Sequence, residues 1–289
     1  MVILMAILKI FGILILAPLC GGLLTGIDRK ITARMQRRQG PPLLQPFYDV
    51  IKLLQKEATT VNHVTRFYIT LALFFSVFTV VLFWLGMDIL LCIFAFTLAS
   101  MFFVVAGYSS FSPFSFAGTE RELLQIMCYE PMVLIAAFGY YKVIGSFSVA
   151  AAFSADRPAF VKLPLIFLGF VYVLTVKLRK SPFDLSMSHH GHQELVKGIT
   201  TELTGICLAM VEIMHWHEIV FALSFTYIFV VWAAPASRAY ALLACLLIFF
   251  FEILIDNVFA RVKWQAALKY SWLISAAAGT VNLLVLNFI

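Results

Sequence analysis

Eight stretches of this chain are apolar over the length needed to cross a bilayer, at about 2–24, 67–86, 88–108, 123–146, 159–178, 201–232, 238–257 and 267–288. A hydrocarbon core about 30 Å thick takes roughly 20 helical residues. Lipid offers no partner to a backbone N–H or C=O, and no period-two alternation suggests a barrel, so each run is expected as a helix. The predicted fold class is all-α: a polytopic transmembrane bundle of about eight spanning helices, forming a single integral membrane domain over 1–289. Composition closes the other routes, since 62% of residues are hydrophobic and only 12% charged. A soluble domain of this size could not cover its surface so sparingly, which excludes a soluble enzyme, a disordered chain and a secreted disulfide scaffold. The first run has no basic leader or small-residue cleavage site and reads as a retained span. The run at 201–232 is long for one crossing, so tilt or an exit from the bilayer is expected there.

Charge orients the bundle. Sixteen of the 21 Lys and Arg fall in or next to the connections 25–66, 109–122, 179–200 and 258–266, and the opposite side keeps only Lys9, Lys142, Arg157, Lys162 and Arg238. By the positive-inside rule the first set is cytoplasmic, which places both termini on the outer face of the cytoplasmic membrane. The net charge of +6 is thereby a topology signal. No basic stripe with interleaved aromatics lies on an extramembrane domain, so nucleic acid is not an expected partner.

Cysteines and histidines give little metal chemistry. The five cysteines sit in or beside apolar runs without any C-x-x-C pair, so neither a cluster nor a structural zinc is expected on this chain. His189, His190 and His192 crowd four consecutive positions, a poor geometry for converging on one ion. They are read instead as part of a docking loop with Asp184 and Glu194, and no metal site is assigned.

The connection 25–66 is more specific. Arg29, Arg34, Arg37 and Arg38 precede a stiff Gly40-Pro41-Pro42 turn. The following stretch puts Leu43, Phe47, Val50, Ile51 and Leu54 on one stripe and Gln45, Asp49, Lys52 and Lys56 opposite. That pattern predicts an amphipathic helix lying in the cytoplasmic interface.

Six acids sit where lipid penalises them: Glu130, Glu202, Glu212, Glu218, Glu252 and Asp256. An ionised acid at mid-membrane costs roughly 2.5–3.5 kcal/mol on the insertion scale, so each is expected to be protonated, paired or facing internal water. Glu252 and Asp256, at i and i+4, share a helix face and are expected to share a proton. His215 and His217 fill the space among the acids of the sixth span and are read as relay members. Thr119 and Glu122 read as a capping box opening the fourth span, and Pro131 beside Glu130 as a kink near a proton entrance. The competing reading is structural, with acids paired to Lys142, Lys177 or Arg238 as helix glue.

Four ordered blocks carry a resemblance. The run R-x-Q-R-R-x-G-P-x-L-L-Q-P-x-x-D-x-x-K-L-L-x-K-E from Arg34 to Glu57, RELLQIMCYEP from Arg121 to Pro131, Pro182-Phe183-Asp184 followed by ELVKGITTE from Glu194 to Glu202, and Arg261, Lys263 and Trp264 together resemble the subunit 1 family of respiratory complex I. Two departures point to a branch of it. Complex I relatives carry an acidic string after P-F-D-x-P, whereas PFDLSMSHHGHQE places histidines there, and GPPLLQP lacks their longer insert. Both features resemble the membrane subunit of energy-converting, Ech-type [NiFe] hydrogenases.

That resemblance implies a non-catalytic coupling subunit of an oxidoreductase complex. Its partners would be the hydrogenase large and small subunits, a ferredoxin-like Fe–S subunit and an antiporter-like membrane subunit. Those partners would hold the [4Fe-4S] clusters and the Ni–Fe centre, and this chain would bind no cofactor. Arg29, Arg34, Arg37, Arg38, Asp49, Lys52 and the loop with Asp184, His189, His190, His192 and Glu194 would dock the peripheral arm. The intramembrane acids would carry protons or Na⁺ as H₂ is made. The alternatives are the subunit 1 of a quinone-reducing complex I and, from another class, a stand-alone ion antiporter.

Overall fold

Proline and glycine set the limits of the helices more than hydropathy does. The computed structural model describes residues 2–57, 62–187 and 195–288, with side chains from residue 6 onward. Helix α1 (Val2–Met35) runs well past the apolar stretch 2–24, because nothing between Thr25 and Met35 breaks a helix. It ends where Arg37 takes a left-handed φ of 56° ahead of the Gly-Pro-Pro turn. Asp28, Arg29 and Lys30 are therefore helical. After α2 (Gln45–Leu54) come α3 (His63–Trp84) and α4 (Ile89–Tyr108), packed as a hairpin.

Helix α5 (Pro113–Ile144) begins ten residues before the expected 123, with Pro113 in its first turn, where a missing N–H costs nothing. This overturns the predicted capping box. Thr119 lies inside the helix and donates to the Ser115 carbonyl at 2.7 Å. Pro131 is also interior, and the Met127 carbonyl it leaves without a helical donor accepts the Trp272 indole N–H at 3.1 Å.

The predicted span 159–178 is the main correction. It resolves into a single turn, α6 (Ala159–Lys162), and the 14-residue α7 (Pro164–Lys177), with the break at Leu163 before a proline. Asn282 seals that break, accepting from the Leu165 and Ile166 N–H groups at 3.0 and 3.2 Å and donating to the Lys162 carbonyl at 3.0 Å. At 1.5 Å per residue α7 covers about 21 Å, short of the roughly 30 Å of a hydrocarbon core. It runs antiparallel to α5, with Leu163 and Ile166 against Gly139 at one end and the Val176 carbonyl against Gln125 at the other. The chain re-enters the bundle on α7 and is still inside it when the helix stops.

Helices α8 (Gly205–Val230), α9 (Ser237–Val258) and α10 (Trp264–Phe288) complete the bundle, α8 starting later than the expected 201. Seven of the described helices are long and apolar enough to cross a membrane, and α7 is the short eighth apolar helix. The protein is a multi-pass membrane helical bundle. Helix α8 lies among α1, α2, α3 and α9, while α5 contacts α4, α7 and α10. Aromatic rings fill the space between: Phe96 meets Phe221 at 4.6 Å and Phe170 meets Phe225 at 5.0 Å between centroids. The outer faces of α1, α9 and α10 leave Phe11, Ile15, Leu246, Phe250 and Leu273 exposed, as expected of surfaces that meet lipid or other membrane subunits.

Helix α2 departs from the single stripe expected of it. Phe47 and Val50 pack inward beside Trp216 of α8, while Tyr48, Ile51 and Leu54 stay exposed. It has two apolar faces, one against the bundle and one outward.

Candidate functional site: a buried charge network

Residues 178–187 and 198–200, which follow α7, fold into the bundle. Two glycines make this possible. An added Cβ on Gly118 of α5 would collide with the Ile199 backbone nitrogen, and one on Gly198 with the Ser186 carbonyl oxygen. Gln125 of α5 donates to the Phe183 carbonyl at 2.6 Å, and Arg261 to the Asp184 carbonyl at 2.7 Å. Of the three cations assigned from sequence to a cytoplasmic connection, Lys177 and Lys180 are consequently buried and Arg179 is nearly so.

Burial of three cations requires partners, and the helices supply them. Arg179 binds Glu122 of α5 through two hydrogen bonds, Nη2 to Oε1 at 2.5 Å and Nε to Oε2 at 3.1 Å, and reaches Glu218 of α8 through Nη1 at 3.0 Å. Lys177 donates to the other oxygen of Glu218 at 3.0 Å and to Tyr129 and Ser100 hydroxyls at 3.2 and 3.3 Å. Its ammonium also lies 4.1 Å from the Phe96 ring centroid. Two cations and two carboxylates thus balance. Ser186 Oγ lies 2.5 Å from Glu122 Oε2 and 2.6 Å from Gln125 Oε1, tying the returning segment to the same acid. His215 Nδ1 stands 2.9 Å from Glu218 Oε2 and 3.1 Å from Arg179 Nη1. It donates to the first or accepts from the second, according to tautomer.

A second cluster adjoins the first. Lys180 pairs with Asp28 of α1 and lies 3.4 Å from Asp256 of α9. Asp256 also accepts the Ser181 N–H at 2.8 Å. Burial alone pulls the guanidinium of Arg179 and the ammonium of Lys180 toward the neutral form. Glu122 with Glu218, and Asp28 with Asp256, outweigh it and hold both above their ordinary ranges. Between the clusters opens a cavity of about 530 Å³, bordered by Asp28, Arg29, Lys180, Glu212, His215 and Asp256 among others. Its wall is mostly apolar, with these charged side chains set into it. Among the described residues no group of three or more His, Cys, Asp or Glu is placed to hold a metal ion.

The sequence-predicted residues separate into groups. Glu218, His215 and Asp256 enter the two clusters, and Glu212 is half-buried at the cavity. Glu130 is half-buried and accepts the Thr97 hydroxyl at 3.0 Å, apart from both clusters. Glu202 is exposed, in the connection that precedes α8. His217 turns back to the Ile213 carbonyl at 2.8 Å, away from the acids. Glu252 is fully buried without a hydrogen-bond partner among the described residues, and Asp256 one turn on is occupied by Lys180 and Ser181.

Of the docking residues, Arg29 pairs with Asp49 at 2.7 Å, and Arg34, Arg37, Arg38 and Lys52 are exposed. Asp184 is buried in the returning segment. His189, His190, His192 and Glu194 lie outside the described residues. Sequence reasoning reaches Lys177 only as helix glue, and misses Glu122, Gln125, Arg179, Lys180 and Asp28 as site members. One signal was present: Glu122, Gln125 and Tyr129 sit at i, i+3 and i+7, a polar stripe on an apolar helix.

Residues 8–287 match the family described as NADH dehydrogenase, essentially the whole chain. The chain belongs to that family. Within the NADH dehydrogenase family its relatives divide between respiratory and hydrogenase complexes. Hydrogenase-4 component C of Escherichia coli is 29% identical, over 90% of this chain and 89% of that protein. NADH-ubiquinone oxidoreductase chain 1 of Aedes aegypti is 26% identical, over 86% and 84%. The membrane-bound sulfane sulfur reductase, an archaeal respiratory membrane complex, contains a chain that superimposes with a TM-score of 0.86 at 25% identity, covering 96% of this chain and 99% of that one. The chain is a membrane subunit of the complex I-like and energy-converting hydrogenase-like type.

Proposed function

We propose that this chain is the membrane coupling subunit of a ferredoxin-linked, energy-converting [NiFe] hydrogenase. It docks the peripheral arm at the basic end of the bundle and links electron transfer and H₂ evolution to translocation of protons or Na⁺. The observation that carries the reading is the returning segment after α7. It connects the surface where an arm would dock to Glu122, Glu218 and Asp256 inside the bundle, through Arg179 and Lys180. A redox event that shifts this segment by about an ångström changes the counter-ions of these three acids, and a carboxylate that loses its cation takes up a proton.

The Ni–Fe centre and the [4Fe-4S] clusters belong to the partners in this reading: the large and small hydrogenase subunits and a ferredoxin-like Fe–S subunit, with an antiporter-like subunit beside the bundle. The histidines that replace the acidic string after Pro182-Phe183-Asp184 favour this branch over quinone reduction. The similarity to a sulfane sulfur reductase subunit supports a second reading, the same coupling scaffold under an arm that reduces sulfane sulfur.

The test is the intact complex in sealed vesicles supplied with reduced ferredoxin. H₂ evolution with ion uptake, both depressed in Glu218→Gln, is the expected result. Turnover on quinone or sulfane sulfur without H₂ would overturn the hydrogenase assignment. Full ion movement in Glu218→Gln would overturn the coupling role of the network.

A further inference from the structure

Glu252 of α9 is a buried acid that neither cluster explains. Its side chain is 0% exposed, and neither carboxylate oxygen has a hydrogen-bond partner among the described residues. The Thr175 hydroxyl beside it donates instead to the Tyr172 carbonyl at 2.7 Å. A carboxylate enclosed this way is tolerated only as the neutral acid or beside a cation. The charged groups on the elements packed around it are Asp28 on α1, Lys177 on α7, Lys180 behind α7, Glu212, His215 and Glu218 on α8, and Asp256 on α9 itself. Lys177, His215 and Glu218 already bind one another or Arg179. Lys180 is different: it is shared by two acids, and Asp256, one of them, sits one helical turn (about 6 Å) from Glu252 on the same face.

We propose that Glu252 stores a proton and exchanges it with Asp256 as Lys180 swings between them. With Lys180 on Asp28 and Asp256, as observed, Glu252 holds the proton. When the segment after α7 carries the ammonium one turn inward, the Glu252 O–H bond breaks and its carboxylate pairs with Lys180. Asp256, having lost its cation, takes the proton. Charge is conserved and no other reactant enters. Asp256 borders the cavity, so a proton there has a way out, whereas Glu252 is sealed from it. Only the trigger, movement of the segment by the docked arm, rests on the proposed coupling function.

The experiment is infrared difference spectroscopy of the intact complex at neutral pH, poised reduced and oxidised, following the carboxylic-acid C=O band and its shift in D₂O. The natural complex is expected to show a band that vanishes in Glu252→Gln. In Lys180→Gln the band should persist and stop responding to redox poise, since nothing can draw the proton off. In Asp256→Asn, which removes the acceptor of the proton, the band should likewise persist and stop responding to redox poise. A band indifferent to Glu252→Gln, or one equally redox-responsive in Lys180→Gln and Asp256→Asn, would overturn the proposal. If Lys180→Gln fails to assemble, Asp256→Asn alone decides. A band that follows redox poise in the natural complex and in neither variant, with vesicles that move no ions, leaves the exchange standing and removes the coupling function.

Discussion

Arg179 and Glu122, 57 residues apart, meet as a two-point ion pair with Nη2–Oε1 at 2.5 Å and Nε–Oε2 at 3.1 Å. Glu218 completes the guanidinium's coordination from a third element. Removing one member of such a buried set leaves an uncompensated charge, at a cost on the order of 3–5 kcal/mol. Arg179→Ala is expected to abolish assembly of the complex, and Arg179→Lys to retain it with a lowered melting temperature. The forked geometry cannot be reproduced by an ammonium. Thermal denaturation monitored by intrinsic tryptophan fluorescence reads both, and an Arg179→Lys variant as stable as the natural protein would refute the two-point pair.

The Trp272–Met127 hydrogen bond exists because Pro131 has no N–H to give. Trp272→Phe should therefore destabilise by about 1 kcal/mol. Pro131→Ala restores the helical donor to Met127, and in that background the same Trp272→Phe change should cost much less. A double-mutant cycle measures the difference, and additivity of the two changes would show that they do not share the carbonyl.

Gly118→Ala tests whether the returning segment must lie against α5. The Ile199 backbone stands where the methyl would go, so the segment has to move. Faster proteolytic cleavage within residues 195–204, together with loss of bound peripheral subunits, is the expected phenotype. Gly145→Ala, where an added Cβ meets nothing but the left-handed φ of 79° opposes it, should lower stability without affecting docking.

Arg29–Asp49 offers a contrast. Its side chains are 37% and 40% exposed, so the pair is screened and worth at most about 1 kcal/mol. Asp49→Asn should leave the melting temperature nearly unchanged at high salt, and a large loss there would mean that α2 is held by this pair and not by Phe47 and Val50 on Trp216.

Lys180 bears on pH dependence. Its folded-state titration lies above the ordinary lysine range, so its ion-pair contribution is fully present below that range and lost only as pH rises through the higher folded value. Between roughly pH 6 and 9 the stabilisation from Lys180 should be flat. Lys180→Gln is expected to lower the melting temperature by a similar amount across that window, and a difference that grows toward pH 9 would contradict the assignment.

Much of the bundle was readable along the chain, since hydrophobic burial and backbone satisfaction are local demands. Seven runs of spanning length became long helices, and Gly40, Pro41 and Pro42 ended the first one. The candidate site was legible only in fragments. Glu218, His215 and Asp256 stood out as acids and a histidine in apolar runs. Glu122 hid behind a plausible capping motif, and Arg179 and Lys180 behind a charge rule that counts bases near span ends whether they are solvated or buried.

The sequence alone determined that this is a membrane helical bundle with its charge concentrated at one end, because lipid imposes the same requirement on every spanning segment whatever its neighbours. Only the tertiary structure decided that α7 stops after 14 residues and that the segment behind it turns back inside. The acids on α1, α5, α8 and α9 thereby acquired cations from a stretch that looked like an external loop. Ion pairing between residues 39 to 152 positions apart depends on which helices touch, and no local pattern encodes that.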